Sequence, residues 1–158
     1  MTDLIRRFHA GEPSAFAELV SDQQDDLYTL CARCIGPADA EALSESILLK
    51  AHQAMHRLDA DTNLHTWLLR LGVEHIEAHI EGVDQGDTGL HDRSATVHRL
   101  LQALEMPFRI AVVMRDVLGM PEEKIADILQ LSLGTTRSRI HRARLTMARG
   151  LAPKMDGV

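Results

Sequence analysis

The sequence predicts an all-α protein: two small helical domains joined by a flexible linker, the second a helix-turn-helix domain. Three observations carry that expectation. Apolar residues recur at spacings of three and four along most of the chain, and no stretch alternates as a strand would. The run Gly82–Ser94, GVDQGDTGLHDRS, holds three glycines and three aspartates and almost nothing apolar, the composition of a flexible connector. Charge changes sign near that run: residues 1–98 carry 17 acids against 7 Lys/Arg, and residues 99–158 carry 6 against 10. The expected units are therefore 1–81, a linker 82–94, and 95–158.

In chain order, residues 3–20 hold a short helix, a Gly-Glu-Pro break, and a second helix begun at Ser14. Its apolar stripe, Ala15, Phe16, Leu19 and Val20, continues through Leu27, Leu30, Cys31 and Cys34, and Gly36-Pro37 stops it. Asp39 begins the next helix, with Leu43, Ile47, Leu48, Ala51 and Met55 inward. Asp59–Asn63 is a polar loop. Leu64–Ile80 returns to helix over Trp67, Leu68, Leu71 and Ile76. Past the linker, Leu100, Leu101, Leu104, Ile110, Val112, Val113, Val117 and Leu118 supply a second core, and Gly119-Met120 breaks it before Pro121.

The last stretch carries the most chemistry. Pro121–Gln130 reads as a short helix, with proline in its first turn and Glu122 and Glu123 where a helix start favours acids. Leu131–Gly134 is expected as the turn, and a second helix from about Thr135 repeats Ile140, Ala143, Met147 and Leu151 inward. From Thr135 to Lys154 there are six cationic residues and no acid. A helix-turn-helix with a one-sided arginine array suits the DNA major groove, where guanidiniums clamp phosphates or read guanine edges. Thr135, Ser138, His141 and Arg142 fall where base edges would be, and Arg137, Arg139 and Arg144 where phosphates would be. Thr136 completes the DNA-facing set.

The run LSLGTTRSRIHRAR, Leu131–Arg144, resembles region 4 of the extracytoplasmic-function (ECF) group of sigma-70-type RNA polymerase sigma factors. Leu104–Arg109 and Val113–Val117 are similar to the way that region begins, so the likeness spans about Val97–Leu151. The family usually has valine at the place of Thr136. Ala10–Ile80, with its lone tryptophan in TWLLRLG, is similar to region 2, which contacts polymerase and melts the promoter −10 element. The resemblance implies −35 recognition by the C-terminal helix. It also implies polymerase binding through Asp39, Glu41, Leu43, Glu45, Leu48 and Lys50. Promoter DNA, core RNA polymerase and an anti-sigma factor are the implied partners. Several region 2 positions depart from the family pattern: Ala42, Glu45 and Leu48 replace aspartate, glutamine and phenylalanine. Asp59 stands where a basic residue is common, and Glu74, Ala78 and Glu81 follow Trp67 in place of asparagine, aspartate and arginine. Carboxylates at such places repel phosphate, and His75 and His79 offset that only when protonated.

Other functions find less in the chain. No nucleophile elbow, phosphate loop or paired-carboxylate arrangement marks an enzyme, and no cofactor is expected. Cys31 and Cys34 form a CxxC without a second pair, inside an apolar helix, which reads as buried free thiols. His52/His56 and His75/His79 have chelating i, i+4 spacing but no evident third ligand, so no metal is expected. No apolar run is long enough to span a membrane, and the N-terminus lacks a secretory core, so a cytoplasmic location is expected. One alternative keeps the DNA-binding half and uses the acidic half to titrate an anti-sigma factor, or to pair two chains as a homodimer, without promoter melting.

Overall fold

The computed structural model describes residues 2–81 and 93–151. Among the described residues the chain is helical throughout, with no strand. α1 (Thr2–His9), α2 (Pro13–Ser21), α3 (Gln24–Ile35), α4 (Pro37–Ala54) and α5 (Leu64–Ile80) form the N-terminal half. α6 (Arg93–Gln102), α7 (Met106–Val112), α8 (Glu122–Leu129) and α9 (Leu133–Leu151) form the C-terminal half. Most of the expected linker, residues 82–92, lies outside the described residues.

Local chemistry sets the breaks. The single helix expected before Gly36 is two, because Ser21-Asp22-Gln23 interrupts it and Asp25 and Asp26 restart it in the first turn of α3. Gly36, at φ +98°, ends α3 and precedes α4, which starts two residues earlier than expected on Pro37. Asn63 caps α5, its Oδ1 accepting from the Thr66 amide at 3.0 Å. α7 runs into a π-helical segment, Val113–Val117, before Gly119 at φ +67° turns the chain. Val117, expected in the core, is exposed there.

α1 and α2 are joined by charge. Arg7 Nε donates to Glu12 at 2.8 Å and Arg7 Nη1 to Glu18 at 3.0 Å, and the hydrogen bond from Arg7 is the main reason the Glu12 carboxyl sits at about 2. A carboxyl depressed from 4.5 in the unfolded chain stabilises the fold above 4.5, and that contribution disappears as pH falls through about 2. Wild type should therefore lose stability more steeply than Glu12→Gln across that window in acid melts followed by circular dichroism. Parallel curves would show that the pair contributes nothing.

The core does not stop at the linker. Leu27, Leu30, Cys31 and Cys34 of α3, Ile47 and Ala51 of α4, and Leu68, Leu69 and Ile76 of α5 belong to one contiguous cluster. That cluster runs on through Leu101, Leu104, Ile110, Met114, Ile125, Ile128, Ile140 and Ala143. α6 and α7 pack on α3, and α8 packs on α5. At Gly72 a Cβ would come within 2.7 Å of the buried Leu27, so α3 and α5 cross closely. A smaller cluster, Ile5, Phe8, Ala15, Leu19, Met55 and Leu64, closes the far end beneath α1 and α2.

Arg109 ties the halves at their centre. It is 2% exposed. Nη1 donates to the Cys34 carbonyl at 2.5 Å and to Gln102 Oε1 at 2.7 Å, and Nη2 to the Gln102 and Leu104 carbonyls at 2.6 and 2.8 Å. The Cys34 carbonyl belongs to the last turn of α3, where the helix dipole favours a cation.

Candidate nucleic-acid interface

The helix-turn-helix is built from α8 and α9. Gln130 ends α8 in the left-handed region (φ 54°), and the Leu131 amide returns to the Ala126 carbonyl at 2.9 Å, as in a Schellman turn. Ser132 then caps α9: its Oγ accepts from the Thr135 amide at 3.1 Å. That cap starts α9 at Leu133, two residues before the sequence suggested, and shortens the turn.

Thr136, Ile140 and Ala143 are buried and fix which side of α9 faces inward. Thr136 is 0% exposed, with its hydroxyl donating to the Ser132 carbonyl at 3.0 Å. This corrects its place in the DNA-facing set: the side chain packs inside the domain and cannot meet a base. Thr136→Val should accordingly leave DNA affinity unchanged and alter stability by no more than about 1 kcal/mol, read by gel shift and thermal melts. A tenfold loss of affinity would return Thr136 to the interface.

With about 3.6 residues per turn, the face opposite Ile140 carries Ser138, His141, Arg142, Leu145 and Arg149, with Thr135 at its edge. All are exposed. Arg139 is half-buried on one flank. The other flank carries Arg137 and Arg144, both exposed and both paired with carboxylates of the scaffold. Arg137 Nε donates to Glu122 at 2.7 Å, and Arg144 donates to Asp116 from Nε at 2.9 Å and again from Nη2. These hydrogen bonds raise both guanidinium pKa values, and the Arg137 bond lowers that of Glu122. Exposed pairs of this kind stabilise little, about 0–1 kcal/mol. They orient two long side chains and leave other N–H donors open. The sequence suggested helix-start acids at Glu122 but not these pairings, because the packing of α9 on α8 and on the Val113–Val117 segment decides them.

On the acidic half, Asp39, Glu41, Glu45 and Lys50 are exposed along α4, while Leu43 and Leu48 are half-buried against the core. Lys50 Nζ lies 2.7 Å from His75 Nε2, and His75 Nδ1 lies 2.8 Å from the Leu71 carbonyl, so His75 accepts from Lys50 and donates to its own helix. Asp39 reaches His79 at 4.0 Å. Glu74, Glu77 and Glu81 are exposed. His52 packs edge-on against Phe8 and Phe16 at 5.3 and 4.9 Å, and His56 lies 4.7 Å from Phe8. Among the described residues no group of three His, Cys, Asp or Glu side chains gathers as metal ligands would. Cys31 and Cys34 are free and buried, and burial pushes the Cys31 thiol up to about 12. No described helix is long and apolar enough to cross a membrane.

A buried inner face, an exposed outer face bearing Arg142 and Arg149, and a capped tight turn define a helix-turn-helix. Comparison with known proteins narrows the class. Residues 94–147 match the family model for sigma-70, region 4. The chain is 28% identical to the RNA polymerase sigma-H factor of Pseudomonas aeruginosa over 95% of its length and 93% of that protein's. It is 25% identical to the ECF RNA polymerase sigma-E factor of Haemophilus influenzae, over 96% and 95% of the two chains. Its fold is similar to that of the sigma factor RpoE of Bartonella quintana, solved in complex with the anti-sigma factor NepR. That match has a TM-score of 0.75 at 21% identity, covering 90% of this chain and 98% of that one. Residues 94–147 are thus a sigma-70 region 4, and over nearly its whole length the chain is similar to RNA polymerase sigma factors of the ECF type.

Proposed function

We propose that the chain is a dissociable specificity subunit of RNA polymerase in which α9 lies along the major groove of a promoter −35 element. One observation carries this: Ser138, His141, Arg142 and Arg149 share an exposed face on a helix whose opposite face is buried. Thr135, Ser138, His141 and Arg142 read base edges, and Arg137, Arg139 and Arg144 hold phosphates. Asp39, Glu41, Leu43, Glu45, Leu48 and Lys50 on α4 form the surface for core polymerase. Residues 1–81 and 95–158 act as the two promoter-facing units, with 82–94 as the connector. An anti-sigma factor is the regulatory partner this fold suits, in keeping with the complex of the Bartonella protein. The test is transcription by core polymerase reconstituted with this chain on a promoter library. Sequence-selective transcripts are expected, and failure to bind core at low salt would sink the proposal.

The exposed acids Glu74, Glu77 and Glu81 favour a second reading of the N-terminal half, in which the protein binds promoters and partners without melting DNA itself. Permanganate footprinting of the reconstituted complex separates the two: reactive −10 thymines belong to the first, their absence with −35 protection intact to the second.

A further inference from the structure

Between α5 and α8 lies a chain of three side chains that the promoter-reading role does not use. Lys124 of α8 meets His65 Nδ1, and His65 Nε2 lies 2.9 Å from Asp26 Oδ2 of α3. The ammonium has only protons to give, so Nδ1 must accept, and Nε2 carries the ring proton and donates to the carboxylate. The ring is therefore neutral in the docked form. Next along the same contact, Arg70 Nη2 donates to the Asp127 carbonyl at 2.9 Å and lies 3.4 Å from its carboxylate, and Nε lies 3.4 Å from the Ile128 carbonyl. Arg70 thereby caps the C-terminal end of α8. It is the one Lys or Arg on α5, so with α8 docked it has little left for a phosphate.

We infer that His65 is a proton-operated latch between the two halves, holding α8 on α5 while its ring is neutral and releasing α8 when the ring is protonated. The charged groups facing it act in opposite ways. Asp26 belongs to the same half as His65, so a protonated ring binds it more tightly and tightens that half internally. Lys124 belongs to the other half. Protonation turns Nδ1 from acceptor to donor and sets an imidazolium against an ammonium, so the inter-half contact alone is lost. Asp127 is engaged by Arg70 and does not take the place of the missing acceptor. Mild acidification is therefore the stimulus that operates the latch. Release would uncover the α5 face with Arg70, which goes beyond −35 reading to a control on what the N-terminal half can touch. His98 is the competing histidine. It is buried on α6 beside Gly36, and burial, with Arg109 and Arg33, holds its pKa below the ordinary value.

Cys31 and Cys34 report the opening, since both are buried in the core the halves share. Alkylation of the full chain by N-ethylmaleimide is followed at about pH 7.5 and about pH 5.5, bracketing the histidine range. Each rate is divided by that of the same chain unfolded in guanidinium at the same pH, which cancels the thiolate fraction. The normalised rate of wild type is expected to rise about tenfold on acidification, the loss of one hydrogen bond to a charged group. Lys124→Met and His65→Gln should both be flat, and His98→Gln should respond as wild type does. A wild-type rate that does not rise overturns the proposal. So does a rise that persists in Lys124→Met, or one that vanishes in His98→Gln. No DNA or polymerase enters the assay, so its failure is distinct from a failure of promoter reading.

Discussion

Arg109→Met is expected to lower the thermal midpoint by on the order of 10 °C. Arg109 is fully enclosed and has no carboxylate partner. Three carbonyls and the Gln102 side chain hold its charge, and one of those carbonyls, that of Cys34, lies across the junction of the halves. Methionine restores most of the volume but leaves the Leu104 carbonyl without its side-chain donor and the Cys34 carbonyl with only Gln102 Nε2, at 3.3 Å. Removing one partner from a buried charged network costs about 3–5 kcal/mol, against a total stability of about 5–15 kcal/mol. For a chain of this size each kcal/mol moves the midpoint by roughly 2–4 °C. Lysine should not rescue, because an ammonium cannot span the fork of acceptors that the planar guanidinium fits. Calorimetry of the three proteins decides it. A Met variant within about 2 °C of wild type would show that desolvation of the charge already cancels its hydrogen bonds.

The helices and the arginine face were legible because they depend on near neighbours in sequence. Ile140 and Ala143 on one side of α9, with Arg142 and Arg149 opposite, follow from helical period alone. Ser132 as a cap was legible in principle, since serine three residues before Thr135 is a common helix start. In Leu131-Ser132-Leu133-Gly134 the glycine is the stronger local turn signal, and it masks the cap. Thr136 was harder: a β-branched residue with a hydroxyl reads as polar, and only the packing of α9 into the domain buries it. The continuity of the core was not legible. Leu101, Leu104 and Ile110 look the same in sequence whether they close a domain of their own or pack toward Leu27 and Cys34. Arg109 gave no clear signal either: Gln102 and Leu104 are near in sequence, but the Cys34 carbonyl that completes its set of acceptors lies 75 residues away. Such contacts depend on the relative placement of distant elements, which periodicity does not encode.

On promoter DNA, within holoenzyme reconstituted with core polymerase, Arg142→Ala and Arg144→Ala should fail in different ways. Arg142 is exposed on α9 without an ion-pair partner among the described residues, and with Leu145 and Arg149 it lines a groove whose other wall is Leu104, Glu105 and Phe108. A guanidinium free to lie in the groove plane can read a guanine edge bidentately, so its loss should cost about 1–3 kcal/mol on the matched duplex and little on a scrambled one. Arg144 lies on the flank, held by Asp116 through two donors. Its removal deletes a phosphate contact and leaves Asp116 as an uncompensated negative charge at the edge of the interface. Matched and scrambled duplexes should weaken alike, and the slope of log affinity against log salt should fall by about 1. Asp116→Asn separates these two contributions: it keeps the cation, removes the opposing charge and should strengthen binding to both duplexes. Equal losses for Arg142→Ala on matched and scrambled DNA would place that side chain on the backbone rather than on a base. Weaker binding by Asp116→Asn would show that the carboxylate serves to aim Arg144 at its phosphate, and that aim outweighs repulsion.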